Sequence, residues 1–557
     1  MRNLPFAGRL GERYHIRMIT LLALVALVAG VQDTSLAVIP RPVHMTRGTG
    51  TFLVTPATVV VTDRATRLIG YQLSDWLAPA TGYRLAVSGA AGTAARTISL
   101  RVDPTLARLG EEGYRLSVAG TRITIRAYRP AGVFYGVETL RQLLSPDIFR
   151  EAPVVGVSWT VPVVDIEDMP RFSWRGAHLD VSRSFMPKEF VKKYIDLLAL
   201  HKMNRFHWHL TDDQGWRIDI KKYPLLTSIG GWRRQSLVGV QHDYADTTQW
   251  IYDKVPHGGF YTQDDVREVV AYAGARFITV VPEIEMPGHA QAAIAAYPWL
   301  GNTGQQLEVL THWGVDQNIL NPSDSAIHFM QDVLTEVLAL FPSHWVHTGG
   351  DEAPKMQWQA SPVAQARIRE LGLHSENELQ SWMTAQMSRF LEARGRALIG
   401  WDEILEGGTE GLAPNAVVMS WRGMEGGIAA AQAGHDVVMT PSSNTYFDYY
   451  QSQNRGAEPL AIGGFLPLDT VYAFEPVPAS FDSGQASHIL GTQGQIWTEY
   501  QRNPKNVEYM VFPRLVALAE VAWTPRELRN FADFSARLAK HLARLAALDV
   551  NFRPLRP

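Results

Sequence analysis

The sequence predicts an α/β protein, a (β/α)8 TIM barrel preceded by a small α+β domain. Three observations support this fold class. Eight short apolar segments follow Pro170, and amphipathic helical segments separate several of them. Acidic or aromatic residues stand directly behind nearly every one of these segments. Before Pro170 the segments are short, β-branched and separated by turn residues, with only two helical stretches between them.

Residues 38–165 are predicted to form the small α+β domain. Its strand candidates are TVVVT (58–62), RTISLRV (96–102) and GYRLSVAGTRITIRA (113–127). The last candidate alternates apolar and polar residues around Ala119-Gly120-Thr121, which is the pattern of a β-hairpin. Helical spacing occurs in TRLIGYQLSDWLA (66–78) and AGVFYGVETLRQLL (131–144).

Residues 166–557 are predicted to form the barrel. Its strand candidates are RGAHLDV (175–181), NRFHWHL (204–210), FITVVPEIE (277–285), HWVHTGG (344–350), RALIGW (396–401), AVVMSW (416–421), DVVMT (436–440) and ILGTQGQIW (489–497). Helix starts are marked by Pro187 in a first turn, by Ser323, and by Ser375 with Glu378 as a capping box. A doubly wound open sheet is the alternative, but no glycine-rich dinucleotide or phosphate loop follows any strand.

Residues 1–37 have the layout of a secretory signal peptide. Four arginines precede the apolar run 18–31, and the small-residue site Ser35-Leu36-Ala37 follows it. An uncleaved N-terminal anchor is the alternative, but the run has 14 residues, and a membrane-spanning helix needs roughly 20. We therefore expect export to the periplasm or the extracellular space, with no stable membrane span after the signal is removed.

Composition excludes several classes of function. The net charge is −3 and no run of Lys or Arg occurs, so the chain lacks the basic surface that binds nucleic acid. Cysteine is absent, which rules out thiol nucleophiles, Cys-ligated zinc and iron–sulfur clusters. Any catalysis must therefore use carboxylates, histidines or hydroxyls.

Functional groups of such a barrel gather at the carboxyl ends of its strands. Those positions hold, strand by strand, Asp180 and Arg183, Asp212 and Asp213, Glu285 and His289, Asp351 and Glu352, Trp401 and Asp402, Trp421, Tyr446 and Asp448, and Trp497 and Glu499. Acids combined with indoles are typical of a sugar site, because the apolar face of a sugar stacks on Trp while its hydroxyls bind carboxylates. Taken singly, such a Trp is more often core packing and such an Asp is often a helix cap.

Histidines on the second predicted barrel strand permit a different hypothesis. His207 and His209 alternate along the strand and therefore face the same side. Together with His289 they could serve a metal-dependent hydrolase, or they could simply pack the barrel. The metal hypothesis needs more ligands at fixed spacing than the sequence provides.

Seven ordered motifs resemble family 20 of the glycoside hydrolases, the β-N-acetylhexosaminidases. They are LDVSRSF (179–185), WHLTDDQGWRIDIKKYPLL (208–226), VPEIEMPGHA (281–290), HTGGDE (347–352), GWDE (400–403), TYFD (445–448) and QIWTE (495–499). The resemblance begins near Val38 and includes AGVFYGVETLRQLL in the small domain. One departure is Glu285, where the family pattern more often has Asp.

The resemblance implies an exo-acting hydrolase that needs no metal or organic cofactor. Its partner would be an oligosaccharide ending in β-linked N-acetylglucosamine or N-acetylgalactosamine, which it would cleave with retention. The nucleophile would be the substrate's own acetamido oxygen, giving a cyclic oxazolinium ion. Glu352 would act as general acid and then as general base. Asp351 would orient the acetamido N–H and stabilise the cation.

The resemblance also assigns three sets of further positions. Residues that would bind the sugar's hydroxyls are Arg183, Asp448 and Glu499. Residues that would surround the acetamido group and the sugar face are Trp401, Trp421, Tyr446 and Trp497. Residues that would support Glu352 from behind are Asp212, His289 and His347, the last with core packing as its alternative. A non-catalytic sugar-binding barrel would keep the tryptophans without the catalytic acids.

Asp351 and Glu352 are neighbours in the chain, and this adjacency argues for two different tasks. Adjacent Cα atoms lie about 3.8 Å apart and their side chains diverge in an extended chain. The pair is therefore poorly placed to flank one glycosidic bond, as the two acids of an ordinary glycosidase do. An ionised Asp351 should also raise the pKa of Glu352 by charge repulsion. The sequence thus predicts a protonated Glu352 beside an ionised Asp351.

Overall fold

A computed structural model of the protein describes residues 36–241, 246–408 and 411–555. Within these residues a seven-stranded sheet precedes eight parallel strands that close into a barrel. The predicted fold class is confirmed, and closure of the barrel excludes the open doubly wound sheet. The predicted signal segment lies outside the described residues, apart from Leu36 and Ala37, which are buried.

The N-terminal sheet mixes parallel and antiparallel strands. They are β1 (His44–Leu53), β2 (Val59–Thr62), β3 (Ala86–Ser88), β4 (Thr97–Val102), β5 (Tyr114–Val118), β6 (Arg122–Ala127) and β7 (Thr160–Asp168), in the order β1-β7-β5-β6-β4-β2-β3. The predicted hairpin is the antiparallel pair β5–β6. Helices α1 (Arg67–Thr81) and α2 (Pro130–Leu143) occupy the two predicted helical stretches.

The barrel contains all eight predicted strands. They are β8 (Trp174–Asp180), β9 (Arg205–His209), β10 (Thr279–Glu283), β11 (Trp345–His347), β12 (Ala397–Trp401), β13 (Val417–Ser420), β14 (Asp436–Met439) and β15 (Ile489–Gly494). Pairing of β15 with β8 closes the ring. Because the strands are parallel, all their carboxyl ends open on one mouth, where the candidate site residues follow.

Helices run between or after most of these strands. Seven of them are α3 (Lys188–Leu200), α4 (Gln263–Gly274), α5 (Asp324–Leu340), α6 (Glu376–Glu392), α7 (Glu425–Gln432), α8 (Arg514–Trp523) and α9 (Phe531–Ala547). Further helical segments, left without labels, are Leu225–Ser228, Gln291–Ala296, Met356–Ala360, Pro362–Leu371, Ser442–Thr445, Leu468–Ala473, Ser483–Ser487 and Pro504–Val511. No helix among the described residues has the length and apolar character that a bilayer span requires.

The predicted helix starts are only partly correct. Ser323 caps α5, since its hydroxyl accepts the Ala326 N–H at 3.3 Å. Ser375 caps α6 in the same way, but the Glu378 carboxylate accepts the His374 N–H at 2.9 Å rather than that of Ser375. The predicted capping box is therefore half formed. Pro187 is the residue before α3, not part of its first turn.

A buried ion pair ties the sheet to the barrel. Lys202, just after α3, lies 2.8 Å from Asp168 at the end of β7, and both side chains are fully buried. The same lysine donates to the Tyr114 hydroxyl, and Trp523 of α8 donates to Asp168 at 3.0 Å. Since unpaired buried charges are costly, these contacts hold the two parts of the fold in one arrangement.

Candidate active site

The turn after β11 carries Asp351 and Glu352 at the barrel mouth. Gly349 and Gly350 precede them with φ of +62° and +101°, a region that favours glycine. A β-carbon at Gly349 would lie 1.7 Å from Oε2 of Glu285, so no other residue fits there. Glu352 itself has φ of +46°, a strained value for a residue with a side chain. The two glycines therefore allow the turn that places both acids.

His289 lies between two pairs of carboxylates. Its Nε2 is 3.5 Å from Oε2 of Glu352 and 3.6 Å from Oδ2 of Asp351. On the other side of the ring, Nδ1 is 3.2 Å from Oδ1 of Asp212 and 3.3 Å from Oδ2 of Asp213. His289 thus lies next to Glu352, and Asp212 and Asp213 lie on the far side of its ring.

The surrounding carboxylates favour the protonated form of His289. Burial lowers its pKa, but the carboxylates of Asp212 and Asp351 outweigh that effect and raise the pKa well above the ordinary value. The protonated ring acts unequally on Asp351 and Glu352. Burial raises the pKa of Asp351 to about 6, against the charge of His289 and with the help of Glu352. Burial also favours protonated Glu352, but hydrogen bonding and charge from His289 prevail and lower its pKa.

The predicted order of the two pKa values is therefore wrong. Asp351, not Glu352, holds a proton more readily. The cause is unequal exposure: the Asp351 side chain is 12% exposed and that of Glu352 is 38% exposed. Charge repulsion between neighbours acts on both groups, so burial and the cation decide which one keeps the proton.

Several candidate residues carry a buried polar atom that makes no hydrogen bond within the described part of the chain, and three of them border the pocket. These three atoms are Arg183 Nη1, Asp351 Oδ1 and Asp448 Oδ1. Buried polar groups are nearly always paired, so such atoms need an explanation. A ligand with several hydroxyl or amide groups supplies one. Arg183 is held for this purpose by Asp212, 2.8 Å from its Nη2, and by the Trp497 ring, 5.0 Å from its guanidinium carbon.

Aromatic side chains form a continuous wall beside these atoms. Trp401 and Trp497 lie 6.0 Å apart, and Trp497 lies 6.2 Å from Tyr446. Tyr446 in turn stacks on Trp421 at 6.1 Å with an angle of 20° between the rings. The structure thus brings together all four predicted aromatic residues, which are far apart in sequence.

Asp448 and Glu499 form a second group of acids at the mouth. Burial raises the pKa of Glu499 to about 7, and the Arg183 guanidinium opposes that rise. Burial and the nearby Glu499 raise the pKa of Asp448 well above the ordinary value. Burial therefore favours the protonated form of this pair, and a protonated carboxyl can both donate and accept hydrogen bonds.

His347 contacts Glu283, and its Nδ1 accepts, at 3.0 Å, the N–H of Gly349 in the turn that carries Asp351 and Glu352. Its Nδ1 is 2.8 Å from Oε1 of Glu283, and its ring packs 4.8 Å from that of Trp401. It reaches the catalytic pair only through other groups. The resemblance did not single out Glu283, and in one sequence nothing distinguishes it from other strand acids.

The histidines of the metal hypothesis make hydrogen bonds and ion pairs that leave few lone pairs for an ion. Nδ1 of His207 faces the amide N–H of Gln493 at 2.9 Å, so its proton lies on Nε2, 3.1 Å from Glu283. His209 has a carboxylate at each ring nitrogen, Glu283 at Nδ1 and Asp212 at Nε2. In these contacts the ring nitrogens that face a carboxylate carry protons, and an ion would have to displace them in order to bind.

Glu403 is a site residue that the sequence reasoning missed. Both its oxygens accept the Trp421 indole N–H, at 2.9 and 3.2 Å. Burial raises its pKa to about 9, with Asp351 as the next cause. One signal was present in the sequence, because Asp402 and Glu403 form a second Asp–Glu pair at the end of the neighbouring strand.

A cavity of about 410 Å³ opens beside Glu352. Its polar and aromatic lining includes Glu352, Lys355, Glu403, Glu406, Trp421 and Arg422. The exposed side of Glu352 borders this space, whereas Asp351 is not among the lining residues. A molecule bound at the mouth therefore has room to extend past Glu352.

Comparison with known proteins points to one family. Residues 172–526 match the profile described as glycosyl hydrolase family 20, catalytic domain, and residues 35–169 match that of domain 2. A β-hexosaminidase of Porphyromonas gingivalis is 43% identical over 523 residues, 93% of this chain and 64% of that protein. The chain thus spans less than two thirds of the length of this curated relative.

Solved structures agree with these sequence matches. The family 20 β-N-acetylhexosaminidase of Streptomyces coelicolor has a TM-score of 0.80 at 32% identity, covering 94% of this chain and 98% of that one. The exo-β-N-acetylglucosaminidase of Vibrio harveyi, solved in complex with N-acetylglucosamine, has a TM-score of 0.81 at 33% identity. That alignment covers 94% of this chain and 79% of the Vibrio chain.

Replacing Glu403 by Gln should change how stability depends on pH. The folded carboxyl has a pKa of about 9 against an ordinary value of 4.5, so between these values only the folded state keeps the proton. Stability from this group is complete below pH 4.5 and is lost as the pH rises towards 9, by up to about 1.4 kcal/mol per unit. Thermal midpoints of both proteins at pH 5, 6.5 and 8 measure this, and wild type should lose stability relative to Glu403→Gln as the pH rises. Glu406→Gln, an exposed neighbour, is the control, and a pH-independent difference for Glu403→Gln would contradict the assignment.

Proposed function

Because this chain belongs to glycosyl hydrolase family 20, we propose that it is an exo-acting β-N-acetylhexosaminidase. It removes terminal β-linked N-acetylglucosamine or N-acetylgalactosamine from the non-reducing end of oligosaccharides, with retention. One observation carries the proposal: Asp351 and Glu352 face the same His289 cation at the mouth of a pocket walled by aromatic rings. The N-acetylglucosamine bound to the Vibrio harveyi relative supports the same sugar here.

The proposed reaction uses the substrate's acetamido oxygen as the nucleophile. This oxygen attacks the anomeric carbon, the glycosidic bond breaks, and Glu352 protonates the departing oxygen. Asp351 accepts the acetamido N–H through its unpartnered Oδ1 and stabilises the positive charge of the oxazolinium ion. Glu352, now ionised, then takes a proton from water, which opens the ring from the face that the leaving group vacated.

Substrate binding would reverse the proton preference of the catalytic pair. Among the protein's own groups, Asp351 keeps the proton more readily than Glu352. A bound sugar covers the exposed side of Glu352, and this added burial raises its pKa. The acetamido N–H donates to ionised Asp351 and lowers its pKa. Both changes favour the arrangement that the reaction needs.

The remaining residues are proposed to bind the terminal sugar. Arg183, Asp448 and Glu499 would hold its hydroxyls, and the first two offer the unpartnered atoms described above. Trp401, Trp421 and Trp497 would enclose the acetamido group and the sugar face, with Tyr446 donating to the acetamido oxygen. The rest of the oligosaccharide would leave through the cavity beside Glu352.

Export is a separate proposal. We infer that residues 1–37 are a signal peptide and that the protein acts in the periplasm or outside the cell. The described chain is held firmly just beyond this point, since the Gln142 side chain accepts the Ile39 N–H at 2.9 Å and donates to the Ile39 carbonyl at 2.7 Å. A mature protein beginning at Val38 would keep both bonds.

Loss of the proton donor should abolish most activity. Glu352→Gln should lower kcat/KM on an aryl N-acetyl-β-glucosaminide by about 10²–10⁴-fold, because Gln cannot protonate the leaving oxygen. Asp264→Asn, an exposed acid on α4, serves as the control and should match wild type.

The enzyme should not turn over the plain aryl glucoside, and a thiazoline mimic of the oxazolinium ion should inhibit it. Equal rates for Glu352→Gln and wild type would refute the role of Glu352 as proton donor. Turnover of the plain glucoside would indicate that the nucleophile belongs to the enzyme. Inactivation by a chelator would favour the metal-dependent hydrolase.

The pH dependence of the reaction should show where the proton resides. Above the Asp351 pKa of about 6 the free pair has no proton to give, so kcat/KM should fall as the pH rises through 6. The value of kcat reports the bound complex, so it should fall at a higher pH than kcat/KM, because the sugar buries Glu352. In Asp351→Asn the fall of kcat/KM should move to lower pH, since the remaining Glu352 has a lowered pKa. If kcat and kcat/KM fall at the same pH, the proposed change of proton preference on binding is contradicted.

Processing of the N-terminus can be tested directly. Produced in a bacterial host, the protein should appear outside the cytoplasm with Val38 as its first residue, as determined by N-terminal sequencing. Leu22→Arg combined with Val25→Arg should break the apolar run and keep the chain in the cytoplasm. Exported protein that retains residues 1–37 would instead support the uncleaved anchor.

A further inference from the structure

A single carboxylate inside the barrel organises four side chains around it. Glu283, the last residue of β10, is fully buried. Its Oε1 accepts the Trp401 indole N–H at 3.0 Å and lies 2.8 Å from Nδ1 of His347. Its Oε2 lies 3.1 Å from Nε2 of His207 and contacts Nδ1 of His209. One of these partners, Trp401, belongs to the proposed sugar pocket, so the carboxylate reaches the site directly on one side.

The contacts of His209 require that it carry two ring protons. Its Nδ1 faces Glu283 and its Nε2 lies 3.0 Å from Oδ2 of Asp212. An ionised carboxylate only accepts hydrogen bonds, so both ring nitrogens must donate. Burial opposes the charge, but Glu283 and Asp212 raise the pKa of His209 to about 10. His209 is therefore a cation fixed between two anions.

Asp212 connects His209 to Arg183 and to His289. The same Oδ2 that meets His209 is 2.8 Å from Nη2 of Arg183. Its Oδ1 is 3.2 Å from Nδ1 of His289, whose other nitrogen faces Glu352. From the barrel interior to the catalytic acid the charges thus run negative, positive, negative, positive, negative.

We propose that Glu283 is a positioning residue: it keeps His209 in the doubly protonated state that fixes Asp212, and Asp212 then sets the positions of both Arg183 and His289. The inference rests on the proposed function and extends it to a residue that touches no substrate. If Glu283 only supported the fold, a neutral hydrogen-bonding side chain could replace it. The positioning role requires its negative charge, because beside a neutral group His209 would lose a proton. Asp212 would then lose the positive charge with which it is paired.

A double-mutant cycle separates the two roles. Glu283→Gln, His209→Gln and the double variant are compared by kcat/KM on the aryl N-acetyl-β-glucosaminide. Each single replacement should lower kcat/KM. The double variant should retain about tenfold more activity than the product of the two losses predicts, because both act through one chain of contacts. Strictly multiplicative losses would overturn the proposal.

A second buried ion pair provides the matched control. Asp168 and Lys202, 2.8 Å apart, are equally buried but lie between the sheet and the barrel. The cycle built from Asp168→Asn and Lys202→Met should show coupling in the thermal midpoint and none in kcat/KM. If this control cycle couples in kcat/KM as strongly as the Glu283 cycle, general loosening of the fold explains both and the proposal fails.

The wild-type protein gives a readout that needs no variant to fold. With ¹⁵N-labelled histidine, NMR at pH 8 should show two imidazolium side chains, His209 and His289, where ordinary histidines are neutral. Finding fewer than two would overturn the inference. This measurement also separates the two proposals, because it holds whether or not the protein turns over an N-acetylhexosaminide, whereas absence of turnover alone would refute the proposed function.

Discussion

The site depends on one cation placed among four carboxylates. His289 lies 3.2 to 3.6 Å from Asp212, Asp213, Asp351 and Glu352. Each pair of opposite charges at about 4 Å is worth on the order of 4 kcal/mol near a protein surface. Without the imidazolium, the acids would repel one another and take up protons. With it, the pKa of Glu352 is lowered, whereas burial raises the pKa of Asp351 to about 6.

Unfavourable backbone conformations bring these charges together, and the surrounding barrel strands hold them in place. His289 and Glu352 both have positive φ, +49° and +46°, which is unfavourable for residues with side chains. Gly349 yields its side-chain space to Glu285. Such local strain persists only where the surroundings determine the conformation, and here β10 and β11 hold the two turns side by side. The two strained residues, His289 and Glu352, face each other, with 3.5 Å between His289 Nε2 and Glu352 Oε2.

Sequence patterns predicted the architecture because each barrel strand is a short apolar run bounded by clear breaks. The site residues followed, since parallel strands place their ends at one mouth. Charge balance was not predictable in the same way. The pKa order of Asp351 and Glu352 depends on their unequal exposure and on His289, which is 62 positions earlier than Asp351 in the chain (351 − 289). The role of Glu283 could not be predicted either, because its partners lie on three other strands that are distant from it in the sequence.

The polar interior of this barrel has a physical consequence for specificity. Most barrels of this kind fill their centre with branched apolar residues, whereas here a buried carboxylate and its histidines lie directly beneath the pocket. Buried ion pairs contribute little net stability compared with apolar packing of the same volume. What they provide is one fixed arrangement, since moving any member leaves a charge unpaired. Under the proposed function, a substrate that gave an amide N–H to Asp351 and covered Glu352 would complete this pattern and shift the proton to Glu352.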